Sequence, residues 1–256
     1  MSLAYAEPVE ATRPEECFFY HSMELPSFGE IKGNWDLREV AHAYLGNLDF
    51  SAKRVLDVGT ASGFLTFEME KRGAEVVSFD LDDGANWDIV PHYAIRGELP
   101  KIRAAQGATL VRMKKAYWLS HKDLGSSARA YYGNIYEIPK ALGGFDVVYY
   151  GMVVGHLRDV FQALYSGARL CTETMVVTSI FTDTENPVVR FRPSPTDFSN
   201  FAIKSWWGLN IGTMRSMLGV LGFEIVDIVK SRPLCLNPAF KGRHDCTAIV
   251  ARRQGV

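Results

Sequence analysis

An acidic residue, Asp57, and two glycines stand close together in DVGTASG, directly after an apolar run. Gly59 and Gly63 allow the backbone to turn sharply and let a ligand approach the main chain, which a Cβ atom would obstruct. About twenty residues further on, Asp80 ends the run EVVSFD, where a carboxylate can accept hydrogen bonds from ribose hydroxyls. Together with the small Ala61, these residues predict a site for a nucleotide-like cofactor.

Residues that follow the neighbouring apolar runs add further contacts to this site. Leu81 comes directly after the acid, and Asn134 in YYGNIYEIP can offer its amide to an adenine edge. Ile135 can pack on the adenine face, and Tyr150, near the end of the next apolar run, is expected to contact the cofactor as well. The alternative is that these glycines and acids only end strands, as they do in many turns without a ligand.

The elements around these residues alternate between strand and helix patterns. KRVLDVG reads as a strand, FLTFEMEKRG as a helix and EVVSFDLDD as the next strand, which completes a βαβ unit with a right-handed crossover. Later apolar runs continue the alternation, with helices expected around residues 159–170 and 211–221. We predict an α/β fold: a doubly wound, Rossmann-like, mostly parallel seven-stranded sheet with an antiparallel C-terminal edge strand and an N-terminal lid.

The chain divides into an N-terminal tail and lid at residues 1–50 and one cofactor-binding domain at residues 51–256. Within the lid we expect a cap and not a layer of strands, followed by a helix through Ala43 and Leu48. Insertions near residues 93–122, expected to be helical, and 182–210 interrupt the domain, and long loops at the ligand edge are commonly functional.

Composition and charge indicate neither disorder nor a strong field for nucleic acid. A net charge of -1 with 22% charged residues gives no reason to expect a polyanionic partner. A local stripe of basic residues is formed by Arg96, Lys101, Arg103, Arg112, Lys114 and Lys115. This basic stripe is either an RNA-binding surface or a solvated helix face.

The four cysteines lack the spacing of a zinc site, so we expect no metal and a reduced chain. Without a secretory signal or an apolar stretch of about 20 residues, the chain is expected to be cytoplasmic, with no membrane partner.

Three ordered motifs resemble those of class I S-adenosylmethionine-dependent methyltransferases. DVGTASG resembles the first motif, although Ala61 stands where the family usually has glycine; VVSFDLDD resembles the second and FDVVYYGMVVGHLRD the fourth. A narrower likeness, in GNWDLR, GMVVGHLRD and the terminal AIVARR, is to the bacterial enzymes that transfer a carboxymethyl group to the wobble uridine of tRNA and to their small-molecule relatives. The resemblance implies S-adenosyl-L-methionine as the cofactor.

Methyl transfer from a sulfonium depends mainly on alignment, and a hydroxyl acceptor additionally benefits from a base. His156 follows the fourth strand at the carboxyl edge of the sheet and is the first candidate for this base. His21, in FYHSMEL, is the second candidate, as part of the lid. The structural alternatives are that His156 packs beside the cofactor and bonds to the backbone, and that His21 is an ordinary exposed histidine.

Aromatic residues are expected around the cofactor and the acceptor. Trp35 offers a stacking face and Arg38 a fork-shaped donor, so both can close over the cofactor or substrate. Trp206 and Trp207, in the second insertion, and Met152, after the fourth strand, are expected to contact the substrate. The alternative for the two tryptophans is that they hold the insertion to the core.

These residues predict a biosynthetic O-methyltransferase that uses S-adenosyl-L-methionine to methylate a hydroxyl or enol of a small metabolite. A tRNA-modifying methyl or carboxymethyl transferase is the second hypothesis, although the N-terminus is acidic where the tRNA enzymes are basic. A noncatalytic cofactor-binding partner subunit is the third. A nicotinamide dehydrogenase would share the loop and the ribose acid, but its second glycine-rich signature is absent. Neither the acceptor nor the oligomeric state follows from the sequence.

Overall fold

Short strands form the N-terminal lid in the computed structural model, which describes residues 4–82 and 87–255. β1 (Met23–Leu25) and β2 (Gly29–Ile31) make an antiparallel hairpin, and β3 (Trp35–Asp36) follows. The segment expected to be a cap and not a layer of strands thus contains short strands, because the sharp turn before Gly29, which has a φ of 71°, lets the chain pair with itself. The helix expected after the lid is one turn, α1 (Ala41–Tyr44).

A central sheet of seven strands confirms the predicted fold class. Its strands are β4 (Arg54–Val58), β5 (Glu75–Asp80), β6 (Arg129–Tyr132), β7 (Phe145–Gly151), β8 (Cys171–Ser179), β11 (Phe223–Ser231) and β14 (Cys246–Arg253). They lie in the order β11-β14-β8-β7-β4-β5-β6, and β14 runs antiparallel to both of its neighbours. The antiparallel C-terminal strand is thus confirmed, one position in from the outermost strand.

Four longer helices connect and cover the strands: α2 (Phe64–Lys71), α3 (Leu99–Asp123), α4 (Val160–Ala168) and α5 (Ile211–Val220). Asp159 and Asn210 begin α4 and α5, where each side chain accepts a hydrogen bond from a main-chain N–H of the first turn. Both predicted helices are therefore confirmed, close to their expected bounds. None of the helices in the described ranges is long and apolar enough to cross a membrane.

Both faces of the sheet are buried, which explains why its strands read as nearly continuous apolar runs. Tyr149 and Tyr150 show this clearly, since both are 0% exposed although they lie on opposite faces of β7. The Tyr149 hydroxyl donates to the Tyr44 carbonyl at 3.1 Å, on the side of the lid. The Tyr150 hydroxyl donates to the Ala163 carbonyl of α4 at 2.7 Å.

Besides the β1–β2 hairpin, two further small sheets lie outside the central one in the described residues. β9 (Arg190–Phe191) and β10 (Trp207–Gly208) pair within the insertion after β8. β12 (Leu234–Cys235) pairs with β13 (Gly242–Arg243) and with β3 of the lid. The connection between β11 and the last strand therefore joins the N-terminal lid to the domain.

Candidate functional site

The strand order places a ligand cleft beside the end of β4. From β4 the chain proceeds outward to β5 and β6, and it then crosses back to β7 on the other side of β4. Such a reversal leaves a crevice at the carboxyl ends of parallel strands, where open α/β sheets bind their ligands. The loop at residues 57–63 leaves β4 at this point.

Gly59 and Gly63 have φ angles of 82° and 88°, in the left-handed region that favours glycine. A Cβ atom on Gly63 would also lie 2.6 Å from the Phe67 ring and 2.7 Å from the Tyr117 ring. A Cβ atom on Gly59 would lie 3.4 Å from Val153, in the segment after β7. The loop is therefore held in a tight turn, packed against helices on one side and the β7 segment on the other.

Ala61 also adopts the left-handed conformation, with a φ of 52°. For an L-residue with a Cβ atom this costs about 1 kcal/mol, which glycine would avoid. Its main-chain N–H donates to Asp80 Oδ2 at 2.8 Å, and this bond helps to hold the turn. Ala61, which stands where class I methyltransferases usually have a glycine, is thus a strained position of the loop.

The Asp80 carboxylate lies at the end of β5 and faces the loop. Its Oδ1 accepts from the Leu81 N–H at 2.7 Å and its Oδ2 from Ala61, yet each carboxylate oxygen keeps a second acceptor position for a ligand hydroxyl. Burial raises the pKa of Asp80, and the two main-chain N–H donors and the Lys114 charge oppose this rise. The structure thus brings together the loop and the acid predicted to bind the ribose.

Asp57 lies beneath the loop and not in the cleft. It is 1% exposed, and its Oδ2 accepts from the Thr66 hydroxyl at 2.6 Å, which is itself 2.8 Å from the Thr60 hydroxyl. Burial raises the pKa of Asp57 to about 6, against the opposing effect of the threonine hydroxyls. Asp57 is therefore a positioning residue that organises the turn.

Asn134 and Ile135 follow β6, at the same edge of the sheet. Asn134 is exposed, and its Oδ1 accepts from the Tyr136 N–H at 3.0 Å, which leaves the amide N–H groups for an adenine edge. The Gly133 N–H donates to the Asp80 carbonyl at 2.8 Å, so this turn lies beside the acid. Tyr150 does not belong to this group: its side chain is in the core under α4, and the expected cofactor contact is not supported.

The lid docks directly on the loop through Ser62. The Ser62 hydroxyl oxygen accepts from the main-chain N–H groups of Tyr20 and His21, at 3.2 and 3.1 Å. The His21 ring is 7% exposed, and its Nδ1 has no hydrogen-bond partner among the described residues. Burial lowers the pKa of His21 to about 3. His21 is thus neither an exposed histidine nor a good proton acceptor near neutral pH.

Trp35 and Arg38 were expected to close over the cofactor or substrate, and the contacts described for them lie within the lid and with His244. Main-chain hydrogen bonds join Trp35 to Tyr20 and Ser22 at 2.9 and 2.7 Å. The Arg38 guanidinium binds the carboxylates of Asp36 at 2.6 Å and Glu30 at 2.7 Å. These carboxylates take the Nε and Nη2 donors of Arg38, so the expected cofactor contact stays a prediction.

His156 follows β7 and has a defined tautomer. Its Nδ1 lies 2.7 Å from the Lys204 carbonyl oxygen, which can only accept, so Nδ1 carries the proton and Nε2 keeps a lone pair. Burial lowers the pKa of His156, and the positive charges of Lys204 and Arg192 lower it further. The hydrogen bond to the Lys204 carbonyl acts in the opposite direction and raises the pKa. The imidazole is therefore neutral near pH 7.

The indole rings of Trp206 and Trp207 hold the insertion to two different segments, one after β5 and one after β7. The Trp206 indole donates to the Asp88 carbonyl at 2.6 Å and the Trp207 indole to the Arg158 carbonyl at 3.0 Å. These bonds favour the structural alternative for both side chains. Met152 lies at the start of the same segment with a φ of 55°, held by its N–H bond to the Thr178 carbonyl at 2.7 Å.

Lys114 was expected to lie in an exposed basic stripe, but its side chain is buried. This lysine is 4% exposed, and its ammonium lies 3.9 Å from the centre of the Tyr132 ring. The neighbouring Arg112 donates to the Cys17 carbonyl at 2.8 Å, and Lys115 lies 3.7 Å from the Glu16 carboxylate. The basic stripe therefore divides among separate contacts; helical periodicity along α3 would have separated the inward Lys114 from its neighbours.

Metal-binding groups are not found within residues 4–82 and 87–255, where no cluster of three or more histidine, cysteine or acidic side chains is arranged to hold a metal ion. All four cysteines are buried thiols.

Comparison with known proteins gives information on the fold. No family model matches the chain. It is 28% identical over 209 residues to tRNA U34 carboxymethyltransferase of Ectopseudomonas mendocina (strain ymp), covering 78% of this chain and 52% of that protein. The chain thus spans about half the length of this curated relative.

Two solved structures share the fold. The N-terminal domain of EvdMO1 with SAH and D-fucose matches with a TM-score of 0.58 and 14% identity over 93% of this chain and 92% of that one. Magnesium protoporphyrin IX methyltransferase (ChlM) of Synechocystis PCC 6803 with bound SAH matches with a TM-score of 0.51 and 12% identity over 85% and 82%. The resemblance to class I methyltransferases stated from three motifs is confirmed at the level of the fold.

Proposed function

We propose that this chain binds S-adenosyl-L-methionine at the loop of residues 57–63 and transfers its methyl group to an oxygen atom of a small molecule. The observation that carries this proposal is the bond between Asp80 and Ala61, which brings the acid of one strand against the turn of the next at the cleft. Methyltransferase structures of the same fold with SAH bound support it.

The residues of the cleft divide the work of binding. Asp80 accepts from the ribose hydroxyls, Asn134 donates to the adenine edge, and the turn at Gly59 admits the ligand close to the main chain. The bound cofactor supplies an activated methyl group on a sulfonium. The lid, docked on Ser62, covers the loop and excludes water from this end of the cleft.

His156 is assigned as the base that accepts the proton of the acceptor hydroxyl. Its Nδ1 proton is held by the Lys204 carbonyl, so Nε2 is the atom that takes up the proton. The segment of His156 passes Gly59 at Val153, on the side of the loop away from Asp80. His21, with its pKa of about 3, is a much weaker base and acts instead as part of the lid.

Isothermal titration with S-adenosyl-L-methionine tests the cofactor site. Asp80→Ala should weaken binding at least about tenfold, a loss of about 1.4 kcal/mol. Gly59→Arg should abolish binding, since a large side chain would enter the turn. Glu224→Ala, which removes an exposed carboxylate from β11, is the matched control and should bind as wild type. Unchanged affinity in both cleft variants, with thermal unfolding showing a folded protein, would reject the assignment.

A tRNA-modifying transferase is the second candidate, favoured by the 28% identity to tRNA U34 carboxymethyltransferase. Against it stands the division of the basic stripe, in which Arg112 and Lys115 bind the N-terminal segment. A tRNA enzyme should retain bulk tRNA with an affinity that falls steeply with salt. Absence of salt-dependent retention would reject this candidate.

A further inference from the structure

A polar cavity of about 280 Å³ lies in the insertion between β8 and α5, and the proposed cofactor site does not use it. Arg190, Arg192, Asp197, Ser205 and Gly208 are among the residues that line it. Ser205 is buried at 3% exposure and forms part of the floor, whereas both arginines are exposed at the rim. The cavity is thus open to a ligand from solvent.

The two arginines lie on one face of β9 and its continuation. Residues two apart on a strand share a face, and Phe191 between them contacts the rings of Trp206 and Trp207 on the other face. Across the hairpin, a Cβ atom on Gly208 would be 3.2 Å from Arg192 Nε and 3.6 Å from Arg190 Cβ. The absence of a side chain at Gly208 lets both arginines lie over the same cavity.

Neither guanidinium has a carboxylate partner within 4.0 Å in the described parts of the chain, although other arginines of this protein are paired, such as Arg215 with Glu185 at 3.1 Å. Asp197 lines the same cavity, but its carboxylate accepts from the Ser199 N–H at 2.9 Å. These charged residues carry two positive charges and one negative charge, so one monoanionic group would balance them. A planar carboxylate suits the fork of donors on a guanidinium.

Hydrogen bonds connect this cavity to the proposed base. The Arg192 N–H donates to the Trp206 carbonyl at 2.9 Å, and the Trp206 N–H donates to the Gly155 carbonyl at 2.9 Å. His156, the next residue, bonds to Lys204, which precedes the cavity residue Ser205. The Arg192 charge is also close enough to lower the pKa of His156. One short segment therefore borders both the base and the cavity.

We propose that Arg190 and Arg192 bind a carboxylate of the methyl acceptor while its hydroxyl faces His156, so the substrate is a small hydroxy carboxylic acid. This inference rests on the proposed methyltransferase function. In the transfer step, the acceptor oxygen forms a bond to the methyl carbon as the bond from carbon to sulfur breaks. The hydroxyl proton passes to His156 Nε2, and the sulfur leaves as a neutral thioether.

The test uses the full chain, labelled S-adenosyl-L-methionine and a panel of hydroxybenzoic and aliphatic hydroxy acids, each with its methyl ester and its phosphate analogue. We expect transfer to an acid with little transfer to its ester. A double variant that carries both Arg190→Gln and Arg192→Gln should have a KM for the acid that is at least about tenfold higher than that of wild type. Arg252→Gln, an exposed arginine on β14, should leave KM unchanged.

Titration of the same variants with S-adenosyl-L-methionine separates the two proposals. Transfer to esters as good as to acids, or KM unchanged in the double variant, would overturn the carboxylate site while methyl transfer stands. Preference for the phosphate analogues would also overturn it. If the wild-type protein does not bind S-adenosyl-L-methionine, the proposed function itself is overturned. Cofactor binding without transfer to any compound of the panel would count against the carboxylate site.

Discussion

The carboxylate of Asp80 accepts a hydrogen bond from the main-chain N–H of Ala61 at 2.8 Å, across the ends of two neighbouring strands. Ala61 has a positive φ, so the bond holds an alanine in a conformation that glycine adopts more easily. Asp80 therefore shapes the loop, and in the proposed function it also binds the ribose hydroxyls. Substitutions at these positions should separate the two roles.

Ala61→Gly should stabilise the protein by up to about 1 kcal/mol, because glycine adopts a φ of 52° without the clash of a Cβ atom. Unfolding in urea measures the change. Ala52→Gly, at a φ of 56°, should behave in the same way. Ala105→Gly, on the exposed face of α3, should instead destabilise by about 1 kcal/mol. Equal destabilisation by all three substitutions would contradict the strain at Ala61.

Asp57→Asn should change how stability depends on pH. The pKa of Asp57 rises from 3.8 to about 6 on folding, so its contribution favours folding most at low pH and is lost as pH rises from about 4 to 6. At about 1.4 kcal/mol per pKa unit, the loss is on the order of 3 kcal/mol.

Urea unfolding of wild type and Asp57→Asn between pH 4 and 7 checks this prediction. The asparagine cannot ionise and still offers an oxygen to Thr66, so the variant should gain stability relative to wild type as pH rises. A constant difference between the two proteins across this range would show that Asp57 does not titrate as expected.

His156→Gln should lower kcat by about 10²–10⁴-fold, the contribution typical of a positioned base. The affinity for S-adenosyl-L-methionine should stay as in wild type, because the proposed function gives this side chain no contact with the cofactor. Since the pKa of His156 lies below 6.5, kcat of the wild-type protein should be flat near neutral pH and fall only on acidification. An unchanged kcat in the variant would show that His156 does not act as the base.

Arg192→Gln should move the acid limb of the kcat profile to higher pH. Removing this positive charge relieves one of the effects that lower the pKa of His156. Arg252→Gln, which removes an exposed arginine of β14, should leave the limb in place. The profile is recorded at saturating acceptor, so that a change in acceptor binding does not enter. If the acid limb of the kcat profile lies at the same pH in wild type, Arg192→Gln and Arg252→Gln, an electrostatic link between Arg192 and His156 is contradicted.

Ser62→Ala should loosen the lid from the loop. The N–H groups of Tyr20 and His21 would lose their acceptor, at a cost of about 1–3 kcal/mol for a buried donor left unsatisfied. Hydrogen exchange at these two amides should become faster. Ser231→Ala is the matched control, since Ser231 Oγ is buried without a hydrogen-bond partner among the described residues. Equal exchange in both variants would show that Ser62 does not hold the lid.

The seven strands of the central sheet, its longer helices and the edge that carries the cleft were predictable from the sequence, whereas the short strands of the lid and of the insertion were not. Strands such as β4 and β7 were predictable because both of their faces are buried, which leaves a run of apolar residues in the chain. The loop and Asp80 were predictable because glycines with positive φ and an acid at a strand end are local features of the chain. Asn134 followed from the same reasoning, applied to the end of β6.

The direction of individual side chains at the cleft could not be predicted in the same way, because it depends on packing between distant segments. Tyr150 ends a predictable strand, yet packing against α4 directs it into the core. Arg38 is paired with carboxylates of the lid, and the lid itself is fixed by pairing of β3 with β12, far away in the chain. The surroundings of His156 likewise depend on a carbonyl from a distant insertion. A pattern along the chain records which residues are apolar, whereas the direction of a side chain depends on contacts between segments distant in sequence.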